Sequence, residues 1–202
     1  MKVKICGIQN TESLQAAVEA GADFIGFMFA DSKRRISTEK AKLLAAYVPT
    51  QVQKVGVFVN PTLKEVLDGI QQVGLNFVQL HGEESPDFCR EIPVPVIKAF
   101  SIKNSGDIQK ASQYDVAYYL FDSPGGKYRG GSGMTFDWSL LKDVNIPREQ
   151  VILAGGLKPD NIQAAISEVN PAMVDVSSGV EIDGMKDLEK IQIFIQRAKK
   201  ER

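Results

Sequence analysis

Histidine is nearly absent from this chain: His81 stands alone among 202 residues. Cysteine is scarce too, present only as Cys6 and Cys89. One histidine excludes a histidine-rich metal site. Two cysteines without a C-x-x-C spacing exclude a zinc ribbon and a disulfide framework. Reduced thiols are expected, and with them a cytoplasmic location. No stretch approaches the roughly 18 apolar residues that a membrane helix needs. The apolar run in the opening MKVKICGI is too short for a signal peptide. Neither sign of charge dominates, since 24 basic residues meet 25 acidic ones for a formal net charge of -1. That balance excludes a general nucleic-acid surface and a polybasic membrane anchor, so an anionic ligand must be held by a local site. No linker, low-complexity tract or charge block divides the chain, and its length suits one domain over residues 1–202.

What is present is alternation. Short β-branched runs recur at Val3–Cys6, Phe24–Phe29, Lys54–Val59, Phe77–Leu80, Val96–Ala99, Ala117–Asp122, Val151–Ala154 and Met173–Val176. Most are nearly continuous apolar runs, the pattern of parallel strands buried on both faces. Amphipathic stretches fill the gaps, with helix starts read at Thr11, at Asn60-Pro61, at Ser85-Pro86 and at Lys158-Pro159-Asp160. Gly21 and Gly74 read as helix ends. The terminal stretch carries Leu188, Ile191, Phe194, Ile195 and Ala198 as an apolar stripe at helical spacing. Alternating β and α argue a parallel sheet, and eight repeats of about 25 residues argue closure into a single (β/α)8 TIM barrel. A dinucleotide-binding sheet is disfavoured because no GxGxxG follows the first strand.

In such a barrel the chemistry lies at the C-terminal ends of the strands. Two glycine-bearing turns follow strands 7 and 8, at Gly155-Gly156 and at Ser178-Gly179. Backbone amides cleared of side chains at such turns form an anion site, where phosphate commonly sits. A small phosphorylated metabolite is the expected ligand. Cys6 ends strand 1 and Asp122 ends strand 6, so a thiol and a carboxyl face the same mouth and can serve as base and acid in a proton shift. Taken singly, a strand cysteine is usually a small buried hydrophobe; a carboxyl closing the run Tyr118–Phe121 demands more explanation. Arg34 and Arg35, after strand 2, could grip a carboxylate or form a solvated basic loop. His81, at the end of strand 4, could carry protons or be a hydrogen-bonded structural residue. The segment Ser123–Gly133 holds five glycines in eleven residues and suits a lid. Cys89 reads as packing, and Trp138 as the start of a helix against the barrel.

Taken in order, these motifs resemble the phosphoribosylanthranilate isomerase family along essentially the whole chain. The resemblance is carried by Lys4-Ile5-Cys6-Gly7-Ile8, Ser32-Lys33-Arg34, Gly56-Val57-Phe58-Val59-Asn60 and Val78-Gln79-Leu80-His81-Gly82. It continues through Asp122 before Gly130-Gly131-Ser132-Gly133, Phe136-Asp137-Trp138, Leu153-Ala154-Gly155-Gly156-Leu157 and Val174-Asp175-Val176-Ser177-Ser178-Gly179-Val180-Glu181. It implies an Amadori rearrangement in tryptophan biosynthesis, with Cys6 as general base and Asp122 as general acid. It further implies that Arg34 holds the anthranilate carboxylate and that Asp175 contacts substrate hydroxyls. The turns at Gly155, Gly156, Ser178 and Gly179, helped by Gly131, would take the phosphate, and His81 is placed among the substrate-binding residues. No cofactor and no metal is called for, and the expected state is a monomer or homodimer. Two departures stand out: Arg35 duplicates the cation beside Arg34, and Met134 occupies a position where family members often carry lysine.

Three other readings compete. The related aminoaldose isomerase of histidine biosynthesis would carry an aspartate at the end of strand 1. Indole-glycerol-phosphate synthase would need a catalytic lysine low in the barrel and a longer N-terminus, and neither is visible in the sequence. A non-catalytic phosphosugar-binding barrel would need neither Cys6 nor Asp122.

Overall fold

The computed structural model describes residues 1–124, 135–142 and 144–200. Eight strands run β1 (Lys2–Cys6), β2 (Phe24–Met28), β3 (Gln53–Phe58), β4 (Phe77–Leu80), β5 (Val96–Ser101), β6 (Tyr118–Asp122), β7 (Val151–Leu153) and β8 (Met173–Val176). All neighbouring pairs are parallel, and β1 closes on β8 with Lys4 opposite Asp175. The expected closed barrel is therefore present, with strand bounds within about two residues of the sequence reading.

Alternation along each strand divides the side chains between two cores. Val3, Ile5, Ile25, Phe27, Val78, Leu80, Phe121, Leu153 and Val174 point outward into the helix layer. Phe24, Val55, Ile97, Leu120, Ile152 and Met173 fill the barrel, joined by Phe77 and Tyr118. Phe24 meets Phe77 edge-on at 5.3 Å between ring centroids, which plugs the N-terminal end. The parity that points Leu120 and Met173 inward carries Asp122 and Asp175 inward as well, two residues further along and toward the opposite rim.

Around the barrel lie α1 (Thr11–Glu19), α2 (Thr38–Ala45), α3 (Leu63–Val73), α4 (Pro86–Arg90), α5 (Ser105–Ala111), α6 (Ile162–Val169) and α7 (Leu188–Lys199). Ser85 caps α4 and Pro86 opens it, as expected. Three helix starts differ from the sequence reading. Asn10, not Thr11, caps α1, accepting the Ser13 amide. Thr62 caps α3 in a reciprocal box with Glu65, so Pro61 stands before the helix and not in its first turn. Asn161 precedes α6, its side chain accepting the Lys158 amide, so Lys158-Pro159-Asp160 forms a turn ahead of the helix. Between β6 and β7 the described residues hold no α-helix. Trp138–Leu141 forms a 3₁₀ turn capped by Asp137, with Trp138 packed on the outer core. Cys89 is buried in α4. Among the described residues no helix is long and apolar enough to cross a membrane.

Candidate active site

Cys6 and Asp122 end their strands at the same rim, both inside the barrel and both buried. Gly26 lies opposite Cys6 on β2. A Cβ there would come 2.8 Å from the Cys6 sulfur, so the glycine makes room for the thiol. Sequence reading missed this because an interior strand glycine carries no signal of its own partner.

Between the two sits an ion pair that the sequence reading also missed. Lys4 Nζ donates to Asp175 Oδ1 at 2.9 Å, with Lys4 fully buried. Lys4 occupies the interior one step below Cys6. The signal was available in the alternation Lys2-Val3-Lys4-Ile5-Cys6, which gives Lys4 and Cys6 one parity.

The electrostatics follow from burial. Asp122 is pushed up to about 7, first by desolvation and then by the charge of Asp175. Burial likewise raises the Cys6 thiol, partly opposed by Lys4. Burial alone would lower Lys4, yet Asp175 and Cys6 together hold it above its ordinary value. His81 reaches toward the same carboxyl, its Nε2 3.5 Å from Asp122 Oδ2, and Gln79 Nε2 lies 3.4 Å from His81 Nδ1. The ring is thus set against the carboxyl that the sequence nominated as an acid.

Arg34 and Arg35 part company. Arg34 turns to the mouth and meets Glu181 through two bonds, Nε to Oε1 at 2.7 Å and Nη2 to Oε2 at 2.8 Å. Gly7 makes this possible: its φ is +77°, and a Cβ there would lie 2.6 Å from Arg34 Cδ. Lys186 also bonds Glu181 and donates to the Ser177 carbonyl at 3.0 Å. Two short strands, β9 (Glu181–Ile182) and β10 (Met185–Lys186), form the hairpin that presents this pair. Arg35 is exposed and opens onto an outer groove of about 700 Å³ with Phe29, Glu39, Phe58 and Glu65. The Arg34–Glu181 pairing spans 147 positions, and nothing local in the sequence announces it.

The glycine turns after β7 and β8 pack backbone to backbone. Gly155 and Gly156 both have positive φ, at +83° and +61°. A Cβ on Gly179 would fall 1.7 Å from the Leu157 carbonyl oxygen. Ser178 opens the 3₁₀ turn Ser178–Val180 beside them. Gly131 and Met134 lie outside the described residues, as does most of the glycine-rich segment. Gly179→Ala must push the two turns apart, at a strain of about 1–3 kcal/mol. The expected result is a phosphorylated ligand bound at least tenfold more weakly, with its dephosphorylated analogue little affected. Equal losses for both ligands in a calorimetric titration would show that the phosphate sits elsewhere.

Comparison with known proteins agrees on one family. The family model for N-(5′-phosphoribosyl)anthranilate (PRA) isomerase matches residues 3–197. The N-(5′-phosphoribosyl)anthranilate isomerase of Oceanobacillus iheyensis is 52% identical over 196 residues, which is 96% of this chain and 95% of the relative. A phosphoribosyl anthranilate isomerase crystallised with reduced 1-(o-carboxyphenylamino)-1-deoxyribulose 5-phosphate has a TM-score of 0.86 at 42% identity, with 98% of each chain covered. Monomers generated from the dimeric phosphoribosylanthranilate isomerase of Thermotoga maritima give the same TM-score, identity and coverage.

Proposed function

The chain belongs to the N-(5′-phosphoribosyl)anthranilate isomerase family, and from that premise we propose that its Amadori rearrangement runs on Cys6 as base and Asp122 as acid. The substrate is N-(5′-phosphoribosyl)anthranilate, and the product is 1-(2-carboxyphenylamino)-1-deoxyribulose 5-phosphate, a step of tryptophan biosynthesis. One observation carries the assignment of roles. Cys6 and Asp122 are buried at one rim, and both lie within the field of the same Lys4–Asp175 pair.

The chemistry needs two proton movements. Protonation of the ribose ring oxygen opens the ring to a Schiff base. Removal of the C2′ proton then gives an enolamine, which tautomerises to the ketone. A carboxyl near 7 still holds a proton at neutral pH and is matched to the first movement. A thiolate is the competent form for the second. Burial disfavours that form in the free protein, so the working state, thiolate with carboxylic acid, is a minority species.

Arg34 is the carboxylate ligand in this scheme and Glu181 its holder, with the guanidinium already oriented by two bonds. Asp175 and His81 line the ribose, and the turns at Gly155, Gly156, Ser178 and Gly179 receive the phosphate, with Gly131 from the glycine-rich loop. The chain works as one catalytic unit over residues 1–202, as a monomer or homodimer in the cytoplasm. Arg34→Ala should lower kcat/KM by roughly ten- to a hundredfold, the worth of about 1.5–3 kcal/mol for a charge-assisted pair. Arg35→Ala should stay within about twofold, because the side chain is exposed and faces outward. If the two variants behave alike, the loop assignment is wrong. The reading as a whole is tested by incubating purified protein with N-(5′-phosphoribosyl)anthranilate. Formation of the deoxyribulose product is expected; binding of the reduced product without turnover would overturn it.

A further inference from the structure

The barrel interior holds a full positive charge where a small enzyme of this kind could have kept an apolar plug. Lys4 is completely buried, and among the described residues its ammonium has one carboxylate partner, Asp175, directly across the β1–β8 pairing. An ion pair sealed in a barrel is no automatic gain in stability, because desolvating both charges offsets their attraction. Retaining one beneath the reactive rim therefore points to use. We propose that Lys4 is a positioning residue for the isomerisation: its ammonium, anchored by Asp175, holds the Cys6 thiolate in its proton-accepting form.

The groups around Cys6 narrow the choice to Lys4. On β1 itself the neighbour is Lys4, two residues before Cys6 on the same inward face and buried like it, and its charge favours the thiolate. From β8 comes Asp175, whose negative charge opposes the thiolate. From β10 comes Lys186, already bonded to Glu181 and to both oxygens of Ser177. From the loop after β2 comes Arg34, engaged twice by Glu181. Across the mouth on β6 is Asp122, flanked by Ser123 and by His81 of the segment that follows β4. Two of the three cations near the sulfur are thus tied to Glu181. Lys4 alone is tied to a residue at the centre of the site, and it sits on the same strand and parity as the cysteine. When the thiolate takes the C2′ proton it becomes a neutral thiol, and the lysine remains an ammonium throughout, so its work is electrostatic.

This rests on Cys6 being the base, and the experiment keeps the two ideas apart. Thiolate absorbance near 240 nm is followed from pH 7 to 12 in the intact protein, with the Cys6→Ser variant subtracted to cancel tyrosine and Cys89. In Lys4→Met the Cys6 inflection is expected to move up by one pH unit or more. Turnover should then fall tenfold or more and stay low as the pH is raised, because Asp122 gives up its proton above about 7 while the thiolate grows, and KM should change less than threefold. Lys4→Arg, which restores a cation, should recover part of the thiolate signal. Lys4→Met combined with Asp175→Asn removes the unpaired carboxylate; if the fold is then regained, the inflection should still lie above that of the unaltered protein. An unmoved inflection in Lys4→Met, or one restored by Asp175→Asn, would overturn the proposal and leave Lys4 a purely structural cation. Activity persisting in Cys6→Ser would instead remove the base itself, whatever the spectra of the lysine variants.

Discussion

Cys6→Ser is expected to lose at least 10²–10⁴-fold in kcat, roughly the worth of general-base catalysis, while still binding the reduced product with near-unchanged affinity. The substitution preserves the approximate size of a buried side chain at the rim. It exchanges a thiol for a hydroxyl too weakly acidic to supply an anion at working pH. The sulfur has no assigned role in holding phosphate or carboxylate, so binding should survive. Gly26 leaves space beside the sulfur, and a hydroxyl fits there without strain. Steady-state kinetics with a titration of the reduced product checks both halves. Near wild-type turnover would show that this strand-end cysteine is packing, and His81 would become the next base to test.

Asp122→Asn should be as severe for turnover, again about 10²–10⁴-fold or more, because the amide has the carboxyl's shape without its transferable proton. It should also do something that no packing residue would do. The Asp122 carboxyl titrates near 7 when folded, held there by burial and by the negative Asp175. An unfolded aspartate titrates near 3.9. Between these two values the folded protein binds more protons than the unfolded chain, so stability falls as the pH rises through that window. Above 7 the full cost of a buried carboxylate is present, on the order of a few kcal/mol. Asparagine does not titrate and escapes that cost. The inactive variant should therefore unfold at a higher temperature than the parent at pH 8. At pH 4, where the carboxyl is protonated, the gap should nearly close. A variant less stable than the parent at pH 8 would mean that the carboxylate is well solvated or well paired, and the assignment of Asp122 as an acid would fail with it.

The strands and the rim were legible because both rest on local patterns. Short, mostly continuous apolar runs gave all eight strands, and the residue closing each run gave Cys6, His81, Asp122 and the glycine turns. The boundary errors have local causes. Thr62 beats Asn60 as a cap because Glu65 completes its box, while Asn60 spends its side chain on the Glu83 amide. The segment before Trp138 reads as a helix start and gives a 3₁₀ turn, since Asp137 caps only one short turn there. What stayed hidden is whatever depends on residues far apart in the chain. Lys4 looks like half of a solvated Lys-x-Lys pair until β8 brings Asp175 beside it. Glu181 and Lys186 look like surface charges until the β9–β10 hairpin folds them onto Arg34. Lys98 shows the converse. It is buried on β5, yet its ammonium turns outward to Glu84 and the carbonyls of Leu80, Gly82 and Ala99, away from the mouth.

The division of labour between the two groups is the centre of this account, and chemical trapping reads it most directly. Each variant, in excess over N-(5′-phosphoribosyl)anthranilate, is treated with cyanoborohydride, which reduces an imine but spares the closed ring. With Cys6→Ser, Asp122 can still open the ribose while the C2′ proton stays in place, so the reduced open-chain amine should accumulate well above the protein-free yield. With Asp122→Asn the ring should remain closed, and the yield should match the protein-free reaction. Equal trapping by the two variants, or more by Asp122→Asn, would contradict the assignment of ring opening to Asp122 and proton abstraction to Cys6.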